Sequence, residues 1–504
     1  MSLKKNVIAN YLGQGWSALM GIAFVPLYIK YLGMEAYGLI GVFAMLQAWL
    51  TLLDMGMTPT LNREMARYTA GAHNAQSIRD LLRSLEIICF AIALLIGFVI
   101  WLSATWLSTH WLQVEKLPVD KVAQAITIIG FVVALRFIES LYRGSILGLQ
   151  KQVWLSAVGS GLVTLRWGGA VCVLVWVAPS IELFFIWQGF VSALTIVIFG
   201  IAVHRHLPSS NQAAGFSWIQ LKNIWRFAGG MMATTLLVLL LMQVDKIILS
   251  RMLSLEMFGY YVLAGTVASV IYQFTGPITQ AYYPRFTELV TKGDTAGLVT
   301  IYHQAAQLIS ILVVPAALML IFFGERLLVV WTGSESLAHN VAPVMALLAL
   351  GTMLNSLMHI PYMLTLAYGW TGLAVRQNVV AVLLLVPAIL WAAPRYGAVG
   401  AAWIWIILNG GNLLIGMHLM HARLLPNEKW RWCVKDVALP GSTSAIAALL
   451  CWFAEPSGLS RLAEFVWLLT SGIIMVTAAW LASINSRYWW KKAIQLKTNF
   501  LGER

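Results

Sequence analysis

The sequence predicts an all-α, polytopic membrane protein with about fourteen transmembrane helices. Three observations carry that fold class. Hydrophobic residues make up 60% of the 504 positions and charged residues only 11%, with a mean hydropathy of +0.78. Soluble domains are about a quarter charged, so a surface this poor in charge belongs against lipid. Apolar runs of about 20 residues, the helical length that crosses a hydrocarbon core, recur from one end of the chain to the other. Lys and Arg are also unevenly spread. With the N-terminus inside, roughly three fall on cytoplasmic segments for each one on periplasmic segments, the sense of the positive-inside rule.

The expected spans are 8–30, 36–59, 83–107, 121–146, 153–177, 180–203, 226–250, 257–281, 298–323, 338–365, 372–392, 397–420, 436–454 and 463–483. Backbone groups in lipid must be satisfied within their own segment, so each run is read as helix. Lys4 and Lys5 precede the first run in the manner of a signal peptide. That run is too long, holds Asn10 and Gln14, and lacks a small-x-small cleavage site, so it is read as the first membrane helix. Basic clusters mark the cytoplasmic side: Arg63, Arg67, Arg79 and Arg83; Arg423, Lys429, Arg431 and Lys435; Lys491, Lys492 and Lys497. An even number of spans, with the N-terminus inside, places both termini in the cytoplasm. The net charge of +13 then belongs to cytoplasmic loops, and no nucleic-acid partner is expected. Cys89, Cys172, Cys433 and Cys451 are scattered without CxxC or metal-ligand spacing and read as packing residues.

The chain also resembles itself. LGMEAYGLIGVFAMLQAW from Leu32 matches LSLEMFGYYVLAGTVASV from Leu253, aligning Glu35 with Glu256 and Gly38 with Gly259. NREMARYTAG matches PRFTELVTKG, and RFIESLYRGSILGLQ from Arg136 matches NSLMHIPYMLTLAYG from Asn355. The shift corresponds to six helices. Six is even, so both halves enter the membrane from the same side, which predicts two pseudo-symmetric six-helix lobes with a cavity between them. The expected division is an N-terminal lobe at 1–203, a cytoplasmic linker at 204–225, a C-terminal lobe at 226–420, and two further helices with a basic cytoplasmic tail at 421–504.

Polar residues inside membrane spans are costly, and they face protein or water. Asn10 and Gln14 share one face of helix 1 with Ser17 and Gly21; Gln47, Thr51 and Asp54 share one face of helix 2. Helix 8 answers with Ser269, Gln273, Gly276 and Gln280. Helix 4 carries Arg136, Glu139, Ser140 and Arg143, and helix 10 carries Asn355, His359 and Tyr362. Helix 5 adds Arg166, with no acid near it in its own helix, and helix 7 adds Gln243, Asp245 and Lys246. Each stripe has two readings: helix-to-helix hydrogen bonding, or the lining of a transport path. In the second reading Arg136 and Glu139 neutralise one another, while Arg143 and Arg166 remain for an anion. Guanidinium stays charged and binds phosphate bidentately, so an arginine-lined cavity suits a diphosphate head group better than a cationic drug. Asp54, Asp245 and His359 are candidates for ion or proton coupling, although Asp54 also stands where it would cap a broken helix in DMGMTPT. Pro26, Pro277 and Pro361 are expected kink sites.

There is no Walker A loop, HExxH, GxSxG or cofactor fingerprint, so neither a metal nor a cofactor is expected. The longest loops, near 60–82, 204–225 and 421–435, are too short for an ordinary catalytic domain.

The opening stretch, with Asn10, Pro26, YLGMEAYG at 31–38, LLDMGM at 52–57 and Arg63, resembles polysaccharide flippases of the multidrug/oligosaccharidyl-lipid/polysaccharide (MOP) exporter superfamily, and QVDKIILSRMLSLEMFGYY at 243–261 resembles the start of their second lobe. The resemblance implies a MATE-like fold and an O-antigen (Wzx-type) flippase. Such a protein moves an undecaprenyl-diphosphate-linked glycan to the periplasmic leaflet by alternating access and acts beside polysaccharide polymerases and ligases. Carried onto this chain, its cationic cavity rests on Arg136, Arg143 and Arg166. A lipid II flippase, an ion-coupled multidrug antiporter and a membrane glycosyltransferase are the alternatives.

Overall fold

The computed structural model describes residues 3–54, 56–69, 74–207, 212–456 and 458–483. The expected basic tail at Lys491, Lys492 and Lys497 lies outside them. Among the described residues the chain is helical, and its only strand-like feature is an isolated bridge between Gln113 and Ser254.

The packing resolves into two units, Met1–Gly259 and Tyr260–Arg504. In the first, α1 (Leu3–Ala23) and α2 (Val25–Leu32) form one broken span. The break at Phe24 stands two residues before Pro26, which sits in the first turn of α2, where its missing N–H costs nothing. Helix α3 (Met34–Leu53) ends at Asp54, and Gly56, at φ 73°, turns the chain into α4 (Met57–Thr69). The expected span 36–59 is therefore interrupted, and α4 lies where the sequence suggested a loop. Its apolar stripe, Leu61 and Met65, is fully buried. Helices α5 (Ala75–Trp106), α6 (Val119–Gly148), α7 (Gln152–Trp176), α8 (Ile181–His206) and α9 (Trp218–Met252) complete the unit, with a π-helical turn at Leu107–Trp111 after α5. Asn74 caps α5 by accepting from the Ser77 amide at 2.7 Å.

Helix α10 (Leu255–Ala268) crosses the division between the units. The second unit continues with α11 (Ile271–Lys292), α12 (Thr295–Phe322), α13 (Gly324–Thr332), α14 (Glu335–Leu357), α15 (His359–Ala367) and α16 (Thr371–Leu424). Helix α11 runs through Pro277 without ending, whereas the α14–α15 break at Met358 stands just before Pro361. Gly397, at φ 57° and ψ −140°, divides α16 into two arms, at the boundary between the expected eleventh and twelfth spans. The chain then enters α17 (Lys429–Arg431), a π-helical turn at Trp432–Ala438, α18 (Leu439–Phe453) and α19 (Arg461–Ala482).

Among the described residues, eleven helical segments are long and apolar enough to cross a membrane, and one of them holds both arms of α16. Dividing that segment at Gly397 and adding α3 and α9 gives a number compatible with fourteen. Leu94, Leu95, Phe98, Trp101, Leu102 and Trp106 of α5 are all at least half exposed. An apolar face of that extent is stable only against lipid. Cys172 belongs to the exposed surface as well, while Cys89 and Cys451 are buried as expected of packing residues.

The repeat has a packing counterpart. Within the first unit α5 packs on α6, α4 on α6 and α6 on α8; within the second, α12 packs on α14, α11 on α15 and α14 on α16. Helix α9 departs from the pattern. By sequence period it opens the second half, as α1 opens the first, but it packs on α3, α4 and α5 inside the first unit. The repeat-related glycines mark another close approach in this unit. A Cβ on Gly38 would strike the Leu255 carbonyl oxygen, and one on Gly259 would meet the Met34 carbonyl oxygen. The first turns of α3 and α10 therefore cross backbone to backbone at the two positions that the sequence repeat aligned.

Candidate functional site

Three helices of the first unit bring the candidate site together. Helix α6 supplies Arg136 and Glu139, one turn apart on one face; α7 supplies Arg166; α8 supplies Gln188, Ser192 and Thr195, which share a face at spacings of four and three. Arg166 is 4% exposed. Its Nη2 donates to Glu139 Oε2 at 2.9 Å and reaches Thr195 Oγ1 at 3.5 Å. Arg136 Nη2 donates to Gln188 Oε1 at 3.1 Å, and its guanidinium lies 5.4 Å from the centre of the Phe43 ring.

These contacts correct the pairing expected from the sequence. Glu139 neutralises Arg166, on a neighbouring helix, rather than Arg136, on its own. Arg166 is accordingly not the arginine without an acid. Arg136 is, since no carboxylate among the described residues approaches it within ion-pairing distance. The reason lies in helix geometry. At i and i+3 the Arg136 and Glu139 side chains emerge from one face, but that face looks onto α7 and α8, where Arg166 and Gln188 offer closer partners.

The group of two guanidiniums and one carboxylate carries one uncompensated positive charge. Arg136 Nε, Arg166 Nη1, Gln188 Nε2 and Ser192 Oγ are all buried and have no protein partner. Three of these four are nitrogen donors, and an unmatched buried donor costs about 1–3 kcal/mol. Spare cationic and amide N–H groups around an excess positive charge match the oxygens of an anion such as a phosphate.

The other expected residues are placed differently. Arg143 is exposed, two turns along α6 from Arg136. Gln47 is half-buried on α3; the side chain of Asn10 lies outside the described residues. Asp54 takes the capping role. Both carboxylate oxygens accept from the Thr58 amide at 3.2 and 3.1 Å, and Oδ1 accepts from Thr58 Oγ1 at 2.7 Å. Asp54→Ala is therefore expected to cost about 1 kcal/mol of stability as a lost cap, and Asp54→Asn much less, as thermal unfolding of the two variants would show. Asp245 is half-buried on α9.

In the second unit, Gln273 is exposed. Asn355 accepts from Tyr272 Oη at 3.2 Å and donates to Asn409 Oδ1 at 2.7 Å, and Asn409 in turn donates to the Trp405 carbonyl at 2.8 Å. His359 Nδ1 lies 3.1 Å from the Asn355 carbonyl, which requires Nδ1–H to donate. This is a hydrogen-bonded seam joining α11, α14 and α16.

Gln188, Thr195 and Phe43 were not among the expected site residues. Gln188, Ser192 and Thr195 did carry a signal, as a one-face polar stripe in the otherwise apolar run IELFFIWQGFVSALT.

Comparison with known proteins agrees with this architecture. The chain is 18% identical over 417 residues to a protein of Shigella flexneri described as a candidate O-antigen transporter, a match that covers 81% of this chain and 95% of the relative. Among solved structures, the lipid II flippase MurJ in an inward closed conformation superposes with a TM-score of 0.70 at 12% identity, covering 97% of this chain and 99% of the other. An inward-facing MATE family multidrug transporter of the MOP superfamily gives 0.64 at 14% identity, covering 81% and 95%. At those identities the two structures establish a shared fold. The family model for polysaccharide biosynthesis proteins matches residues 3–290, more than half of the chain. The chain is thus a multi-pass membrane protein of the polysaccharide biosynthesis protein family, with the fold that the MurJ and MATE structures share.

Proposed function

We propose that this protein is a flippase that carries an undecaprenyl-diphosphate-linked oligosaccharide, the repeat unit of O-antigen or another surface polysaccharide, from the cytoplasmic to the periplasmic leaflet of a bacterial inner membrane. The observation that carries the reading is the Arg136–Arg166–Glu139 group, with one excess positive charge and spare N–H donors inside a membrane protein. A diphosphate supplies the matching charge and acceptor oxygens. In this reading Arg136 makes the primary contact, Arg166 contributes its free Nη1, and Gln188 orients Arg136. Binding and release by alternating access need no covalent step, so the protein is not an enzyme. Both termini are cytoplasmic, and the polymerase or ligase that receives the glycan acts on the periplasmic side.

The family and the Shigella relative support the polysaccharide reading over the lipid II reading, although both substrates carry a diphosphate and the arginine group serves either. An excess positive charge disfavours a cationic drug. Deletion of the gene tests the reading. The lipid-linked glycan is expected to accumulate in the cytoplasmic leaflet, and surface polysaccharide to disappear, in cells that remain viable. Normal surface polysaccharide contradicts the proposal, and loss of viability with unflipped cell-wall precursor points to lipid II.

A further inference from the structure

A second buried charge cluster, which the transport reading does not use, lies in the second unit. His303 of α12 is 4% exposed, and each of its ring nitrogens faces a carboxylate. Nδ1 is hydrogen-bonded to Asp436 Oδ2, and Nε2 lies 2.9 Å from Glu428 Oε2. Asp436, in the π-helical turn before α18, is completely buried, and its Oδ1 accepts from Gln307 Nε2 at 2.9 Å. Glu428, in the loop before α17, is partly exposed and lies 3.4 Å from Arg431 Nη1.

Counting protons decides what this arrangement holds. A neutral imidazole has one N–H donor and one acceptor nitrogen, whereas an ionised carboxylate only accepts. Two carboxylates on the two nitrogens of one imidazole therefore need one more proton than neutral His303 brings. Partial burial works against the Glu428 charge, but the hydrogen bond from His303 and the charges of His303 and Arg431 outweigh it and hold its carboxyl below the usual value. The extra proton accordingly belongs to the buried His303–Asp436 pair, and Glu428 stays ionised beside it.

The surroundings leave no rival for that proton. On α12 itself the neighbours are Tyr302 and Gln307. His421 of α16 sits 3.1 Å from the Tyr302 hydroxyl and directs its Nδ1 to the Met417 carbonyl at 2.9 Å. Lys429 lies 3.2 Å from His418, and Cys433 is half-buried in the π-helical turn. From α11, Glu288 is taken up by Arg285 and Lys292, each at 2.6 Å. On α14, Glu335 and His339 stand in the first turns, beside the C-terminal end of α12; on α19, Glu464 is paired with Arg326.

We infer that His303, Asp436 and Glu428 form a proton-binding site that fastens the start of the α17–α19 segment to α12. The two ends of α12 hold that segment by different means. Near its C-terminal end the contact is apolar, with Phe323 packed in one cluster with Ala448, Cys451, Leu468 and Met475. At the His303 end it is ionic. Losing the proton turns a lone pair toward a carboxylate in a low-dielectric pocket, and the partner that gives way is Glu428, which is more exposed and has Arg431 as an alternative. The apolar end then stays closed while residues 425–436 part from α12. This inference does not depend on the identity of the transported molecule.

The test uses the full-length protein in lipid nanodiscs. With ¹⁵N-labelled histidine, the ring signal absent from His303→Gln is expected to show a proton in each of its two hydrogen bonds at pH 7. Amide hydrogen exchange across 425–436, measured at pH 7, is expected to quicken about tenfold or more in His303→Gln and in Glu428→Gln, the equivalent of losing one charge-assisted hydrogen bond. A His303 nitrogen that faces an ionised carboxylate with no proton between them at pH 7 overturns the proton site. Unchanged exchange in both variants overturns the fastening.

Discussion

Arg166→Ala is expected to lower stability sharply, and Arg136→Ala is expected to spare it, while both variants lose transport. Arg166 is the buried partner of Glu139 at 2.9 Å, and removing it leaves a carboxylate in the interior without its counter-charge. Breaking such a pair from one side costs about 3–5 kcal/mol. The double variant Arg166→Ala/Glu139→Gln removes both charges and is expected to recover most of that loss without recovering transport. Arg136 has no acid to strand, and its replacement forfeits only the Gln188 hydrogen bond and the Phe43 ring contact, about 1–2 kcal/mol together. In transport the order differs. Arg136 carries the uncompensated charge, and loss of a charge-assisted bond to phosphate is expected to weaken substrate binding about tenfold to a hundredfold. Arg166→Lys keeps charge but loses the planar fork, and an intermediate effect is expected. Thermal unfolding and substrate binding, measured on the same four variants, check both halves.

Glu35→Ala is expected to destabilise the first unit by about 3 kcal/mol or more. Glu35 is 5% exposed and receives three backbone amides, from Glu115 at 2.6 Å, Lys116 at 2.9 Å and Leu117 at 2.8 Å. Without the carboxylate, three N–H groups of one turn lose their acceptor together. Glu35→Gln fares little better, because its amide nitrogen presents a donor to donors. Glu256, at the equivalent repeat position, instead pairs with the Lys116 side chain near the surface. Its replacement by alanine is expected to cost under about 1 kcal/mol. Urea or thermal unfolding of the three variants would separate the two glutamates, and similar losses for Glu35→Ala and Glu256→Ala would contradict the assignment.

Much of this architecture is legible from residue order because lipid leaves the backbone few options. The apolar runs marked the spans, and the repeat aligned Gly38 with Gly259, the two positions at which α3 and α10 cross backbone to backbone. The break after Asp54 was signalled by Asp, Gly and Pro within six residues. The site was legible only in part. Periodicity assigns side chains to a face of a helix but does not say which helix that face meets. Arg136, Glu139 and Arg166 were therefore expected site residues, yet the partner of Glu139 was misread. Arg143 and Gln273 continue their stripes in sequence and end on the exposed surface. His303 carries no such signal, because its partners lie more than 120 positions away, one in a segment that reads as a basic loop and one just after it.

The central claim is that the arginine group of α6 and α7 binds the diphosphate of a lipid-linked glycan and so permits its passage. Reconstitution in unilamellar vesicles tests this directly, with a fluorescent polyprenyl-diphosphate oligosaccharide whose inner-leaflet fraction is read by membrane-impermeant quenching. Wild-type protein is expected to equilibrate the lipid between leaflets, and Arg136→Ala, folded and inserted to the same extent, to slow this at least tenfold. Equal rates for wild type and Arg136→Ala would contradict the account.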